Sequence, residues 1–387
     1  MNAMSPTQAI LETLEEDQRM IVETAQAFAR DELRPNSARW DKEGALPRAM
    51  LDQLGGLGFL GMTVPAEHNG VETDYVTYAL SLMEIAAGDA ATSVVMSVHN
   101  SPACAVYHMY GNEAQKERFL KPMALGEQIG AFALTEPGAG SDASNLRTRA
   151  TAVKGGWKIN GAKQFISNGS IAGNTVVFAV TDPDAGKRGI TAFAVPTDTP
   201  GYQVARLEDK LGIKASDTAA LSFDDMFVPD EAIIGTPGMG YKIALSTLES
   251  GRIGIGAQAV GIAMEAVSRA LAYAQERKAF DVPIYELQAV QFRLVDAATR
   301  LEAARQMVIH AAQLKNRGLP CIREACMAKL FASEVAETIV SECLQVLGGY
   351  GYLHDYEMER LHRDVRICKI YEGTSDIQKL IIARHLI

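Results

Sequence analysis

In the stretch Lys369–Gln378, KIYEGTSDIQ, one acid, Glu372, stands between Ile370–Tyr371 and a Gly-Thr-Ser turn. A carboxylate in such surroundings is poorly solvated, its pKa rises, and it can act as a base toward a weak acid. The plainer alternative is an acid in the first turn of a last helix, where the helix dipole favours it. A second stretch, Thr135–Asp142, TEPGAGSD, sets Gly138 and Gly140 around one small residue, with Thr135, Ser141 and Asp142 beside them. Backbone amides in such a loop can turn toward a phosphate or a cofactor ring. A Gly-Pro turn between strands would look the same. The loop does not open a helix within a βαβ unit, so it is not a nicotinamide-binding fingerprint.

Two further stretches carry more glycine than local structure needs. In Gln345–Tyr352, QVLGGYGY, the glycines follow a long helical run and serve first as a C-terminal cap. Three of them with two tyrosines point to a ligand approaching the backbone. In ESGRIGIGAQ, Arg252 lies among Gly251, Gly254 and Gly256 inside a helical pattern. Each such glycine costs about 1 kcal/mol, which implies tight packing against that face. A close helix–helix contact with Arg252 reaching solvent is the alternative.

The elements that must position these stretches fall into three regions. Residues 1–125 read as helical. TQAILETLEEDQRMIVETAQAFARDEL carries an apolar stripe with acids opposite, and DYVTYALSLMEIAAGDAATSVVMSVHN is more apolar, as a buried helix is. Residues 126–235 alternate short β-rich pieces with turns, including Gly155-Gly156 and Asp184-Ala185-Gly186, which predicts a compact barrel or sandwich. From residue 236 onward, long periodic runs over 240–276, 284–316 and 321–347 with short breaks predict an antiparallel helical bundle. The expected fold class is α+β: an N-terminal helical domain, a central β-barrel or sandwich domain, and a C-terminal four-helix bundle.

Composition narrows the function classes. The 387 residues are 48% apolar and 22% charged, ordinary for a globular chain of more than one domain. A net charge of −10 disfavours nucleic acid as the main partner. The five cysteines form no CxxC pair and the histidines no HExxH, so no metal site is expected and the thiols are read as reduced and buried. No run of apolar residues predicts a membrane span. The acidic N-terminus has the shape of neither a secretion signal nor a transit peptide. The expected compartment is the cytoplasm, or the mitochondrial matrix if a transit peptide has been removed.

Together the motifs ALTEPGAGSD, GRIGIGAQAVGIA, ERKAF, QVLGGYGY and RDVRICKIYEGTSDIQ resemble the acyl-CoA dehydrogenase family in order and spacing, over nearly the whole chain. The resemblance implies FAD as cofactor, an acyl-CoA substrate, a homotetramer, and electron-transfer flavoprotein as partner. It implies that Glu372 is the base that removes the α-proton and that Gly373 lines the thioester site. FAD contacts are implied for Phe132, Leu134, Thr135, Gly140 and Ser141, and for Phe165, Ile166 and Ser167 against the isoalloxazine ring. They are implied also for Arg277, Phe280, Gln288, the run Gln345, Val346, Leu347, Gly348 and Gly349, and Thr374, Ser375 and Asp376, several across a subunit interface. Substrate contacts are implied for Ser141, Glu249, Ser250, Gly251 and Arg252.

Departures from the family pattern are Phe165 for Trp, Ser167 for Thr, Asp376 for Gln or Glu, and Asp281 where Gly is common. One branch carries its base just before the helix arginine; Gly251 stands there, and Glu249 is the reserve candidate. Gln258 resembles the bulky polar residue that helps shorten the acyl pocket in short-chain or short-branched-chain members, with Cys368 as its small neighbour. The implied reaction is α,β-dehydrogenation to the trans-2-enoyl-CoA. The alternatives are a same-fold acyl-CoA oxidase or flavin monooxygenase, or a non-catalytic DNA-associated flavoprotein.

Overall fold

A computed structural model describes residues 10–386. Residues 7–9, with which the predicted N-terminal amphipathic stretch begins, lie outside the described residues. Downstream of them the helical reading holds with one interruption: helix α1, Glu16–Phe28, starts only after a turn, where Glu15 and Gln18 form a reciprocal capping box. The apolar stretch expected to form one buried helix forms two, α2 (Tyr75–Gly88) and α3 (Ala90–Val98). Asp89 makes the break. Its backbone is extended, and its buried carboxylate accepts from the Thr92 N–H at 2.7 Å, so it ends one helix and caps the next.

The central region is an eight-stranded mixed sheet: β1 (Gly130–Ala133), β2 (Arg149–Val153), β3 (Gly156–Ser167), β4 (Asn174–Val180), β5 (Ile190–Pro196), β6 (Tyr202–Leu207), β7 (Thr218–Pro229) and β8 (Ile233–Ile234). The order is β6-β7-β3-β2-β4-β5-β8, with β1 pairing parallel to β4. Every residue of β4 is buried. Its two faces serve two cores: Val176, Phe178 and Val180 pack toward helices of the first region, while Val177 and Ala179 pack among strands. The Gly155-Gly156 turn joins β2 to β3 as an antiparallel hairpin.

Three long helices follow: α4 (Gly240–Glu276), α5 (Gln288–Asn316) and α6 (Ile322–Leu347). The fourth position of the expected bundle is taken by two short helices, α7 (Met358–Val365) and α8 (Ser375–Arg384), which pack on α6. The glycines between α6 and α7 and the turn at Glu372–Gly373 prevent one continuous rod. The largest hydrophobic core is shared between the N-terminal helices and this bundle. Helix α2 lies against both α4 and α5, so the segments bearing Arg252 and Glu372 are walled by residues far away in sequence.

The segment that leads to Glu372 is fixed from both sides. On α7, Arg363 binds Asp41 at 2.7 Å and the Leu211 carbonyl at 3.2 Å, and the neighbouring Asp364 accepts from the Ile213 N–H. Among the described residues, no helix is long and apolar enough to cross a membrane, and no cluster of His, Cys, Asp and Glu is arranged to hold a metal. All five cysteines are free and buried.

Candidate active site

Glu372 sits in a left-handed turn, with φ of +50° at Glu372 and +93° at Gly373. Its residue surface is partly accessible, but Oε2 is buried and has no hydrogen-bond partner among the described residues. An ionised oxygen in that position is costly. Burial pushes the Glu372 carboxyl up to about 7, against the opposing charges of Arg252 and Lys329.

The helix glycines have separate reasons, and two of them are helix packing. A Cβ on Gly254 would meet Ser97 of α3, and one on Gly256 would meet Val308 of α5. Gly251 differs, since a Cβ there would overlap Glu372 Oε2. Its glycine therefore opens the space that the carboxylate occupies. Arg252 does not reach solvent: it is 4% exposed, and its Nε and Nη1 lack partners among the described residues. It faces the carboxylate, which corrects the alternative of a solvent-exposed arginine.

The remaining substrate candidates divide. Glu249, the reserve base, is tied up by Lys315 at 3.0 Å. Ser250 is buried and bonded to Ser101 Oγ at 2.9 Å. Gln258, fully buried, donates to Ser93 Oγ at 2.8 Å and to the Ala90 carbonyl at 3.2 Å. Its Oε1 accepts from the Tyr371 hydroxyl and from Cys368 Sγ, the latter at 3.8 Å. Gln258, Tyr371 and Cys368 are thus joined in one hydrogen-bonded cluster beside Glu372.

On the sheet, a register shift in β3 between Lys163 and Ile166 places Phe165 at φ +58°. This bulge re-aims the ring outward, leaving it 63% exposed. Ser167 and Thr135 are half-buried, and Ser141 and Gly140 are exposed. Leu134 and Ile166 are buried, so only their backbones remain for a ligand, while Phe132 packs on Phe178. Sequence reasoning missed what holds the glycine loop. Glu136 accepts from the Arg147 N–H at 2.6 Å, the Thr148 N–H at 3.1 Å and the Lys163 ammonium at 2.8 Å. Lys163 is a cation at a buried position of β3, and that misfit in the strand pattern was the available signal.

A third group lies at the far end of the bundle. Arg277, Phe280, Gln288, Gln345, Gly348 and Gly349 are exposed, and Arg277 stacks over Tyr350 at 5.5 Å. Val346 and Leu347 are core residues, which corrects any reading of their side chains as ligand contacts. At the start of α8, Thr374 caps the helix, Asp376 is exposed, and Ser375 Oγ is buried without a partner among the described residues. Along α4, Arg277 is about 37 Å from Arg252.

This geometry can be set beside known proteins. Three family descriptions match: acyl-CoA dehydrogenase N-terminal domain over residues 15–127, middle domain over 131–226 and C-terminal domain over 238–387. The chain belongs to the acyl-CoA dehydrogenase family. It is 47% identical to the human mitochondrial short-chain specific acyl-CoA dehydrogenase, over 97% of this chain and 91% of that protein. Butyryl-CoA dehydrogenase from Megasphaera elsdenii superposes with a TM-score of 0.95 at 39% identity, covering 96% of this chain and 98% of that one. A glutaryl-CoA dehydrogenase from Mycobacterium smegmatis in complex with FADH2 superposes with a TM-score of 0.93 at 33% identity, covering 99% and 98%.

Acyl-CoA dehydrogenases are FAD-dependent oxidoreductases, and this acyl-CoA dehydrogenase is an enzyme of that class. Its residues fit a flavin. An outward aromatic ring on a bulge, half-buried hydroxyls and an open glycine loop suit the ring system, and a Cβ added at Gly138 or Gly140 would meet none of the described residues within 4 Å. The Ser375 hydroxyl, without a partner among the described residues, is a further polar group left to satisfy.

Proposed function

We propose that this enzyme dehydrogenates a short-chain acyl-CoA thioester to the trans-2-enoyl-CoA and passes the electrons to electron-transfer flavoprotein. The observation that carries the reading is the buried, unpartnered Glu372 Oε2 in the space opened by Gly251. A carboxylate held there takes the α-proton, while Arg252 and Lys329 keep it ionised enough to do so. The bound FAD supplies the acceptor for the hydride leaving the β-carbon. Phe165, Ser167, Thr135 and Ser141 would hold its ring. The Glu372 backbone N–H is the chain's own donor for the thioester oxygen, where charge develops as the proton leaves.

Short acyl chains are favoured by the cluster that Gln258, Tyr371 and Cys368 make, and two short-chain relatives share the architecture. The test is anaerobic flavin bleaching with straight and branched acyl-CoAs from propionyl to palmitoyl. Bleaching fastest with butyryl-CoA supports the reading; no bleaching by any thioester overturns it. Rapid peroxide formation in air after bleaching would assign the oxidase alternative instead. In Gln258→Ala, octanoyl-CoA should gain about tenfold in kcat/KM relative to butyryl-CoA, since the vacated space takes about two more methylenes at about 0.8 kcal/mol each.

Gly251→Ala tests the placement of the base. Its Cβ must push the carboxylate aside, and a displacement near 1 Å costs about 10²-fold in rate. Bleaching should slow by about that factor with FAD content unchanged.

The roughly 37 Å along α4 between Arg277 and Arg252, which faces Glu372, supports an assembly in which Arg277 serves a neighbouring subunit's FAD. Phe280, 87% exposed, and Phe292, 62% exposed, supply apolar surface for it. A homotetramer is the proposed state, checked by light scattering.

A further inference from the structure

Lys329 belongs to none of the stretches that drew attention in the sequence. It lies on α6 and is fully buried. Its Nζ donates to the Gly373 carbonyl at 2.8 Å. The same carbonyl already has a neutral donor, Gln378 Nε2 at 2.9 Å, which also reaches the Glu372 carbonyl at 3.2 Å. Two donors therefore hold a turn in which Glu372, a residue with a Cβ, adopts a left-handed backbone. Such a conformation costs of order 1–3 kcal/mol and persists only where its surroundings over-determine it.

Hydrogen bonding alone does not explain an ammonium there. A buried charge is expensive, and Gln378 shows that an amide suffices for the carbonyl. What the lysine adds is positive charge beside the Glu372 carboxylate. The groups facing that ammonium are Cys326 on its own helix, Arg252 on α4, and Cys368 and Glu372 on the approach to α8. Tyr78 of α2 and Tyr371 also face the carboxylate, and both hydroxyls stay neutral, pushed up first by burial and further by the Glu372 charge.

We infer that Lys329 is a positioning residue for Glu372: it clamps the left-handed turn through the Gly373 carbonyl, and its charge holds the base ionised in a dry pocket. The assignment rests on Glu372 being the base. Burial brings Lys329 itself down to about 8, so it stays mostly cationic through neutral pH.

The test follows anaerobic flavin reduction against pH in the holoenzyme, Lys329→Met and Lys329→Arg. An infrared titration of the Glu372 carboxylic acid band, identified by its loss in Glu372→Gln, gives a readout that does not depend on turnover. In Lys329→Met, the rising limb of the rate and the infrared titration should both move up by about one pH unit. The rate should fall about tenfold at pH 6 and recover toward pH 9. Lys329→Arg should leave the limb where it is.

A folded Lys329→Met enzyme with both titrations unmoved overturns the inference, whatever its amplitude. Failure of Lys329→Met and Lys329→Gln alike to fold makes the lysine a structural strap, which also overturns it. If Glu372→Gln reduces flavin normally, the reading of the base itself fails. If Glu372→Gln is inactive and the Lys329→Met limb has not moved, only the role of Lys329 falls.

Discussion

Glu372→Gln should retain FAD and assembly and lose substrate-dependent flavin reduction by about 10³-fold, within the range a positioned base contributes. The amide is nearly isosteric, so the left-handed turn and its clamp by Lys329 and Gln378 stay in place. What disappears is the acceptor for the α-proton. The pH dependence of the unmodified enzyme gives the same argument a second edge. Burial raises the Glu372 carboxyl to about 7, and only its ionised form can accept the proton. Flavin reduction should therefore climb about tenfold per pH unit below 7 and flatten above it. The variant should show no such limb. Stopped-flow absorbance of the flavin measures both, and near-wild-type reduction in the variant would place the base elsewhere. Glu249 is poorly set for that role because its carboxylate is bound to Lys315.

Why Glu372 was legible in sequence, and its partners were not, follows from how each signal arises. The acid announces itself locally: an aromatic run before it and a Gly-Thr-Ser turn after it lie within a few residues. The three regions were legible for the same reason, since periodicity is local. The shared core between the first and last regions was not, because it depends on α2 docking against α4 and α5 across a long stretch of chain. Asp89 shows the limit within one element. Its apolar surroundings favour a continuous helix, and only the cap it makes with Thr92 breaks it.

Lys329 left a trace that periodicity could have caught. It falls in the stripe of Ala325, Ala332 and Ala336, all buried, so a charge lies where the helix pattern demands an apolar residue. The solvent-exposed alternative for Arg252 failed for a related reason: spacing gives the helix face, whereas charge compensation from Glu372 decides whether an arginine can stay buried there.

Lys163→Met should destabilise the central region by about 3–5 kcal/mol, the cost of leaving one partner of a buried ion pair uncompensated. Lys163 and Glu136 are both nearly inaccessible, and their 2.8 Å contact lies where three pieces of chain meet. The ammonium also donates to the Leu134 carbonyl at the end of β1, and Glu136 takes the two backbone N–H groups that lead into β2. Burial would raise the Glu136 carboxyl, yet Lys163 and those N–H donors outweigh it and hold it below its ordinary value. Removing the cation leaves the carboxylate with the N–H donors alone. The midpoint of thermal FAD release should then drop by on the order of 10 °C, scaled from a few degrees per kcal/mol. Removing both charges, in Glu136→Gln/Lys163→Met, should recover more than half of that loss, because a site with no ion has no ion to desolvate. Equal midpoints for the single and double variants would mean that the ammonium's hydrogen bond to the Leu134 carbonyl, and not its pairing with Glu136, holds the loop. The distinction bears on flavin binding, because Lys163 stands two residues before Phe165 on the bulged strand. A pair that loosens there frees the glycine loop and the outward ring together, so cofactor affinity should fall in parallel with stability.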